Sequence, residues 1–175
     1  AIVIPVLSML TSSMAAYALA RLRFRGRNVI FLLLISTMMI PGYVTLIPNF
    51  AIMVKLKLLN SHWALILRSA LSGSATSIFL FRQFFLSIPR DLENAAIVDG
   101  CSWPGVFFRI IMPNSKPAIA TVIILSFRST WNSFLWPQLV LQTDRLWTWT
   151  LALKILSESE TNQAVLLAGS VISIL

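Results

Sequence analysis

The chain has 175 residues, of which 57% are hydrophobic and only 11% charged, and its mean hydropathy is +0.82. A soluble domain carries roughly 25% charged residues, so this one lacks the polar side chains to cover a water-facing surface, and lipid is its expected solvent. The 14 basic and 6 acidic residues leave a formal charge of +8, gathered between apolar runs, which fits a membrane protein better than one that binds nucleic acid.

A helix rises about 1.5 Å per residue and the hydrocarbon core is about 30 Å thick, so a span needs roughly 20 apolar residues. Ala1 to Ala20 carries no charge. Although "AYALA" mimics a cleavage site, the run is too long for a signal peptide and lacks a basic lead. Arg21, Arg23, Arg25 and Arg27 follow in "RLRFRGR", and the positive-inside bias puts that loop in the cytoplasm. Asn28 to Val54 is again uncharged, longer than one span needs, and interrupted at "IPG" (Pro41, Gly42) and at Pro48. Trp63 to Phe81 and Pro117 to Trp136 are further candidates that hold Arg68 and Arg128, and Thr161 to Leu175 is apolar.

Alternation from the first loop puts Lys55 to His62 and Leu139 to Gln163 outside and Arg82 to Lys116 inside. Eight basic residues then lie inside against four outside, in keeping with that orientation. The expectation is an all-α, polytopic transmembrane bundle of about five spans, with residues 1–175 forming a single, partial membrane domain. Opening and closing inside apolar runs, the sequence reads as an internal fragment. Cys101 alone excludes an internal disulfide, and His62 without clustered partners gives no metal site. No cofactor is expected. His62 and Trp63 read as interfacial residues, as do Trp131 and Trp136.

The segment "SIPRDLENAAIVDGCSWPGVFFRIIMP" breaks the apolar pattern. Pro89 suits a first helical turn, and Asp91 and Glu93 suit a helix N-terminus. Leu92, Ala95 and Ala96 share a face, and Gly100 can take the left-handed conformation that stops a helix, so a helix of about ten residues is predicted. Ser102 offers an N-cap for a second helix that Pro113 interrupts. Asp99 opposes the macrodipole in the last turn, and so is expected to bond the next turn's amides or to pair with Arg90 or Arg109. The paired alanines leave the backbone close to the helix surface. Such a face suits a groove on another protein, or the chain's own membrane domain, equally well.

At these residues the chain resembles permease subunits of binding-protein-dependent ABC importers of the maltose-type carbohydrate branch. Their signature, Glu-Ala-Ala, three residues, Gly, nine residues, Ile, one residue, Leu-Pro, falls on Asn94, Ala95, Ala96, Gly100, Ile110, Met112 and Pro113. "SSMAAYALARLRFRGR", "TMMIPGYVTLIPNF" and "WNSFLWP" are similar to the same branch. The resemblance implies that residues 89–113 form a cytoplasmic helix-turn-helix coupling loop, with Asn94, Ala95, Ala96, Asp99, Gly100, Ile110 and Pro113 as its ATPase-coupling residues. It implies a second permease subunit, a cytoplasmic ATPase dimer, an extracytoplasmic solute-binding protein and a bacterial or archaeal plasma membrane. A complete member has six spans, so this chain would lack the first and part of the last. Asn94 stands where the family has glutamate, which removes a charge from the docking face.

The arginines inside spans also depart from the branch. An arginine at mid-span costs about 2.5–3.5 kcal/mol on insertion scales and faces a bundle interior or a watery cavity. Arg68 lies near a span end, within snorkelling reach. Arg128 lies deeper, and with Asn132 marks a candidate translocation path for an anionic solute; bonding to backbone carbonyls, or a degraded copy, are the other readings. No span holds a histidine or carboxylate for catalysis or proton coupling. No phosphate-binding loop occurs, so ATP hydrolysis belongs to a partner and the chain is not itself an enzyme. The rival reading is a non-transporting or degraded membrane protein that keeps the fold.

Overall fold

The computed structural model describes residues 2–158 with 167, 169 and 171, and only the backbone of 70–72 and 158. Among these residues the chain is helical throughout: α1 (Val3–Arg21), α2 (Arg27–Ser36), α3 (Leu46–Lys55), α4 (Trp63–Ser72), α5 (Ala75–Ser87), α6 (Arg90–Val98), α7 (Trp103–Val106), α8 (Met112–Asn114), α9 (Lys116–Trp131), α10 (Leu135–Val140) and α11 (Trp149–Glu158). The span expected over Thr161 to Leu175 falls almost wholly outside the described residues.

The central helix α1 packs against α4, α5 and α9. Ser8, Ser12, Ala16 and Ala20 recur every fourth residue and all are buried, forming a stripe of small side chains that lets neighbouring backbones approach closely, as in membrane bundles. Hydroxyls in this apolar setting bond to their own helix: Thr11 Oγ1 donates to the Leu7 carbonyl at 3.1 Å and Ser13 Oγ to that of Leu10 at 2.9 Å, so neither is buried without a partner.

Contacts fix the direction of the neighbours. The Ser74 amide donates to Ser12 Oγ at 3.2 Å, Arg82 Nε to the Leu19 carbonyl at 3.3 Å, and Arg21 reaches the end of α5. The α4–α5 element therefore runs parallel to α1, with α2 and α3 as the return. One hydrophobic cluster surrounds Tyr17, Phe81, Phe85, Phe107 and Val122; a second joins Met53, Leu65, Trp136 and Val140.

Unbroken spans are fewer than the apolar runs predict. Among the described residues, α1 alone is long and apolar enough to cross a membrane, and the bent pair Trp103–Asn114 and Lys116–Trp131 meets that standard jointly. The other runs break at identifiable residues. Pro41 and Gly42 separate α2, with its 3-10 extension Thr37–Met39, from α3. Pro48 does not interrupt: it occupies the first turn of α3, where the missing N–H costs nothing. Gly73 divides α4 from α5 with φ +56° and ψ 169°, a combination open essentially to glycine alone.

A Cβ at Gly73 would lie 3.2 Å from Ser12 Oγ, so Gly73→Val combines backbone strain with crowding of the α1 stripe. Thermal unfolding of the detergent-purified full-length protein is expected to show a loss of about 2–4 kcal/mol; an unchanged midpoint contradicts this account of the break.

Candidate functional site

Polar chemistry gathers at the two ends of α1, about 28 Å apart at 1.5 Å per residue. At the C-terminal end, Pro89 takes the N-cap position of α6, one residue earlier than a first-turn proline. Gly100 adopts φ +81°. Its amide bonds to the Ile97 carbonyl at 3.0 Å and that of Cys101 to Ala96 at 2.9 Å, the paired bonds of a Schellman stop. The predicted helix thus forms, nine residues long.

Its orientation is set by Glu93, not by the alanines. Glu93 is 5% exposed and its Oε1 lies 2.8 Å from Arg21 Nε. The other arm of Arg21 donates to the carbonyls of Phe85, which also accepts the Ile88 amide, and, at 2.5 Å, of Ile88 just past α5. One buried guanidinium therefore ties α1, α5 and α6 together. By sequence Arg21 is one of four loop charges; of the four, Arg23 and Arg25 are exposed, and Arg27 is half-buried with Nη1 donating to the Leu22 carbonyl at 3.3 Å.

With Glu93 turned inward, Ala96 packs half-buried against the core while Asn94, Ala95, Asp99 and Gly100 are exposed. Leu92 and Val98, 46% and 85% exposed, stand three residues either side of Ala95 and share its face. Asp99 is the C-cap residue and, among the described residues, pairs with neither Arg90 nor Arg109. Burial raises the Glu93 carboxyl above the ordinary range, opposed by the guanidiniums of Arg21 and Arg90.

Past Gly100, Ser102 occupies the N-cap of α7 without a side-chain bond. Pro113 does not end the second helix. The chain widens into a π-helical turn over Phe107–Ile111 and continues through α8, because Pro113 offers no N–H to Arg109 and its ring crowds that carbonyl. Asn114 Nδ2 donates to the Ile110 carbonyl and Ser115 Oγ to that of Ile111, each at 2.7 Å. An 81° bend then leads into α9. Ile110 is half-buried on the core and Pro113 is exposed.

At the N-terminal end of α1, Trp136 is buried in the second cluster, and its Nε1 donates to the Ala64 carbonyl at 3.3 Å. It is a core residue and not the interfacial anchor its position predicts. Arg68 lies over its ring with Cζ 4.7 Å from the centroid. Arg68 borders a cavity of about 500 Å³ with Trp131, Trp147 and Trp149, and another of about 420 Å³ with Tyr43 and Asn132. Asn132 Nδ2 donates to the Arg128 carbonyl at 2.9 Å. Arg128 itself is exposed on α9 and lines neither cavity.

Asn60, at φ +55°, joins the loops after α3 and α10: its Oδ1 accepts from the amides of Gln142 at 3.1 Å and Thr143 at 3.0 Å, and its Nδ2 donates to Thr143 Oγ1 at 2.6 Å. His62 Nε2 lies 3.2 Å from the Leu146 carbonyl. None of these links was read from sequence. An asparagine in a charged turn was the one available signal.

Residues 8–175 match the family model described as binding-protein-dependent transport system inner membrane component. The arabinooligosaccharides transport system permease protein AraQ of Halalkalibacterium halodurans is 43% identical over 174 residues, 99% of this chain and 62% of that protein. The sn-glycerol-3-phosphate transport system permease protein UgpE of Pectobacterium atrosepticum is 36% identical over 154 residues, 88% of this chain and 54% of that one. Among solved structures, a bacterial ABC transporter involved in the import of the acidic polysaccharide alginate matches with a TM-score of 0.80 at 29% identity, over 96% of this chain and 58% of its own. The chain thus spans little more than half the length of the relatives it matches.

Glu93→Ala leaves the Arg21 charge buried without its carboxylate, and a loss of about 3–5 kcal/mol is expected, read as thermal unfolding and as proteolytic opening of the loop at Arg90. Glu93→Gln keeps the shape and one acceptor but also removes the charge, and a smaller loss than that of Glu93→Ala is expected. Because the folded carboxyl holds its proton above the ordinary range, this group's contribution to stability grows as pH falls through its raised pKa and is lost as pH rises. A transition that weakens on mild acidification in wild type but not in Glu93→Gln contradicts that sign.

Proposed function

The chain belongs to the binding-protein-dependent transport system inner membrane components, and from that premise we propose that it is the membrane-spanning permease subunit of an ATP-driven importer of sugars or sugar-like solutes. Similar proteins are named for arabinooligosaccharides and sn-glycerol 3-phosphate, and a carbohydrate-like solute covers both. In this reading residues 89–113 are the coupling loop and α6 is the coupling helix, seated in a cleft of a cytoplasmic ATPase. The observation that carries it is the division of labour on α6. Glu93 is buried against Arg21 while Leu92, Ala95 and Val98 form an exposed apolar ridge.

Asn94 adds a neutral hydrogen-bonding group beside that ridge. Ala96, Ile110 and Pro113 act from behind it, by packing on the core and by shaping the wide turn, while Asp99 and Gly100 end the helix cleanly. The partners are a second permease subunit that completes the pathway, an ATPase dimer that hydrolyses ATP, and an external solute-binding protein. The family is an inner-membrane one, and we assign this chain several crossings of a bacterial or archaeal plasma membrane, with α6 cytoplasmic and Arg68 toward the outside. No feature of the described residues favours a non-transporting remnant.

Two measurements test this. With Cys101→Ser as background, Ala95→Cys in the full-length complex is expected to crosslink to the ATPase, and Ala95→Trp to lower ATPase co-purification about tenfold, the equivalent of 1.4 kcal/mol. Crosslinks confined to the permease's own membrane body sink the coupling assignment. We also place exposed Arg128, with Asn132, on the pathway. Arg128→Leu is expected to lower uptake of charged relative to neutral solutes, and an unchanged preference removes that role.

A further inference from the structure

Two adjoining grooves of about 620 and 690 Å³ lie at the C-terminal end of α1 and share Arg23, Phe24 and Arg90. Among the described residues five arginines line them: Arg21, Arg23, Arg25 and Arg27 from the end of α1 and the turn into α2, and Arg90 from the first residue of α6. Two are already engaged. Arg21 is held by Glu93 and by carbonyls at the end of α5, and Arg27 gives one nitrogen to the Leu22 carbonyl. Arg23, Arg25 and Arg90 are exposed and make no side-chain hydrogen bond or ion pair within the described residues, Arg90 acting on Glu93 only at longer range. Residues 1–90 contain no aspartate or glutamate, so the turn after α1 is not neutralised by its own half of the chain. Guanidinium groups of this kind present planar forks of N–H donors that match a phosphate.

The grooves also have an apolar side. Phe24 lines both and Trp103 the first, 43% and 50% exposed. Val29 lines the second groove and opens a row with Leu32 and Leu33, three and four residues further along the same face of α2, and all three are more than 60% exposed. None of the residues of α2 is buried in this chain. Because α1 is long and apolar enough to cross a membrane, its charged end falls at the bilayer surface, and α2 starts there and runs back through the same depth. A free phosphate uses only the arginines, and an acidic protein surface leaves the α2 row without a role. A phospholipid uses both, its phosphate against the guanidinium groups and its acyl chains along Val29, Leu32 and Leu33.

From this junction of charge and apolar surface we infer that the groove between the α1–α2 turn and Arg90 of α6 holds the headgroup of an anionic phospholipid. The inference goes beyond the importer reading and takes from it only that α1 crosses the bilayer. Since Arg90 opens α6, a lipid held here also braces the base of that helix.

The test is native mass spectrometry of the full-length protein with its partner permease and ATPases, delipidated in detergent and titrated with single lipids. Phosphatidylglycerol is expected to bind about tenfold tighter than phosphatidylcholine of the same chain length. Arg23→Gln/Arg25→Gln is expected to erase that preference while phosphatidylcholine binding, the thermal midpoint and the number of ATPases in the complex stay unchanged, which also reports that the variant is folded and assembled. Arg23→Lys/Arg25→Lys is expected to keep most of it, and Lys55→Gln/Lys57→Gln, which removes two charges at the end of α3, all of it. Equal affinity for the two lipids, a preference that survives Arg23→Gln/Arg25→Gln, or one lost equally in Lys55→Gln/Lys57→Gln overturns the inference. Inorganic phosphate displacing phosphatidylglycerol at equal concentration overturns it too, since the site is then one for free anions. Loss of ATPase from Arg23→Gln/Arg25→Gln in phosphatidylcholine alone also overturns it, because the surface is then a dock for protein. ATP hydrolysis stimulated by the solute-binding protein is measured in nanodiscs that contain both lipids: its absence sinks the importer reading, and its presence with equal lipid affinities sinks this inference alone.

Discussion

A single buried arginine sets the geometry of the polar half of this molecule. Arg21 closes α1, donates to two carbonyls at the end of α5, and holds Glu93 of α6 at 2.8 Å. Charges this well buried are costly unless every partner is in place, so the ends of α1 and α5 and the first turn of α6 are constrained to meet. From that meeting point follow the inward turn of Glu93, the outward turn of Ala95 and its neighbours, and the fixed exit of the chain toward α7.

The rest of the bundle is arranged to leave α1 stiff and its neighbours jointed. Small residues at every fourth position let α1 sit centrally without a break, whereas Gly73 divides the parallel element and a π-turn with an 81° bend divides the next. A rigid helix with one end clamped to α6 and the other bordering the Arg68 cavity gives both ends a shared frame. Rocking bundles need such a connection.

Much of this is readable from residues, and where it is not the reason is physical. The short helix before Gly100 follows from proline, acidic and glycine positions alone, since capping chemistry is local. Its inward face does not. Periodicity groups Leu92 with Ala95 and Ala96, but Glu93 outweighs them because its partner lies seventy-two positions earlier, and nothing in the spacing announces a pairing across that distance. The same holds for Arg68, whose nearness to Trp136 is made by two helices meeting. The points where apolar runs break are least legible, because apolar length says nothing about a single φ +56° glycine or a proline absorbed by a wider turn. The stripe from Ser8 to Ala20 was visible in the sequence, yet serines in an apolar run read as neutral until burial shows them at the centre.

Asn60 has one more implication. Because its carboxamide grips both the bend after α3 and the backbone beyond α10, those two stretches form a single plate rather than independent flaps. Anything that settles on that end of the protein meets a surface already assembled, and a change in either stretch is transmitted to its neighbour.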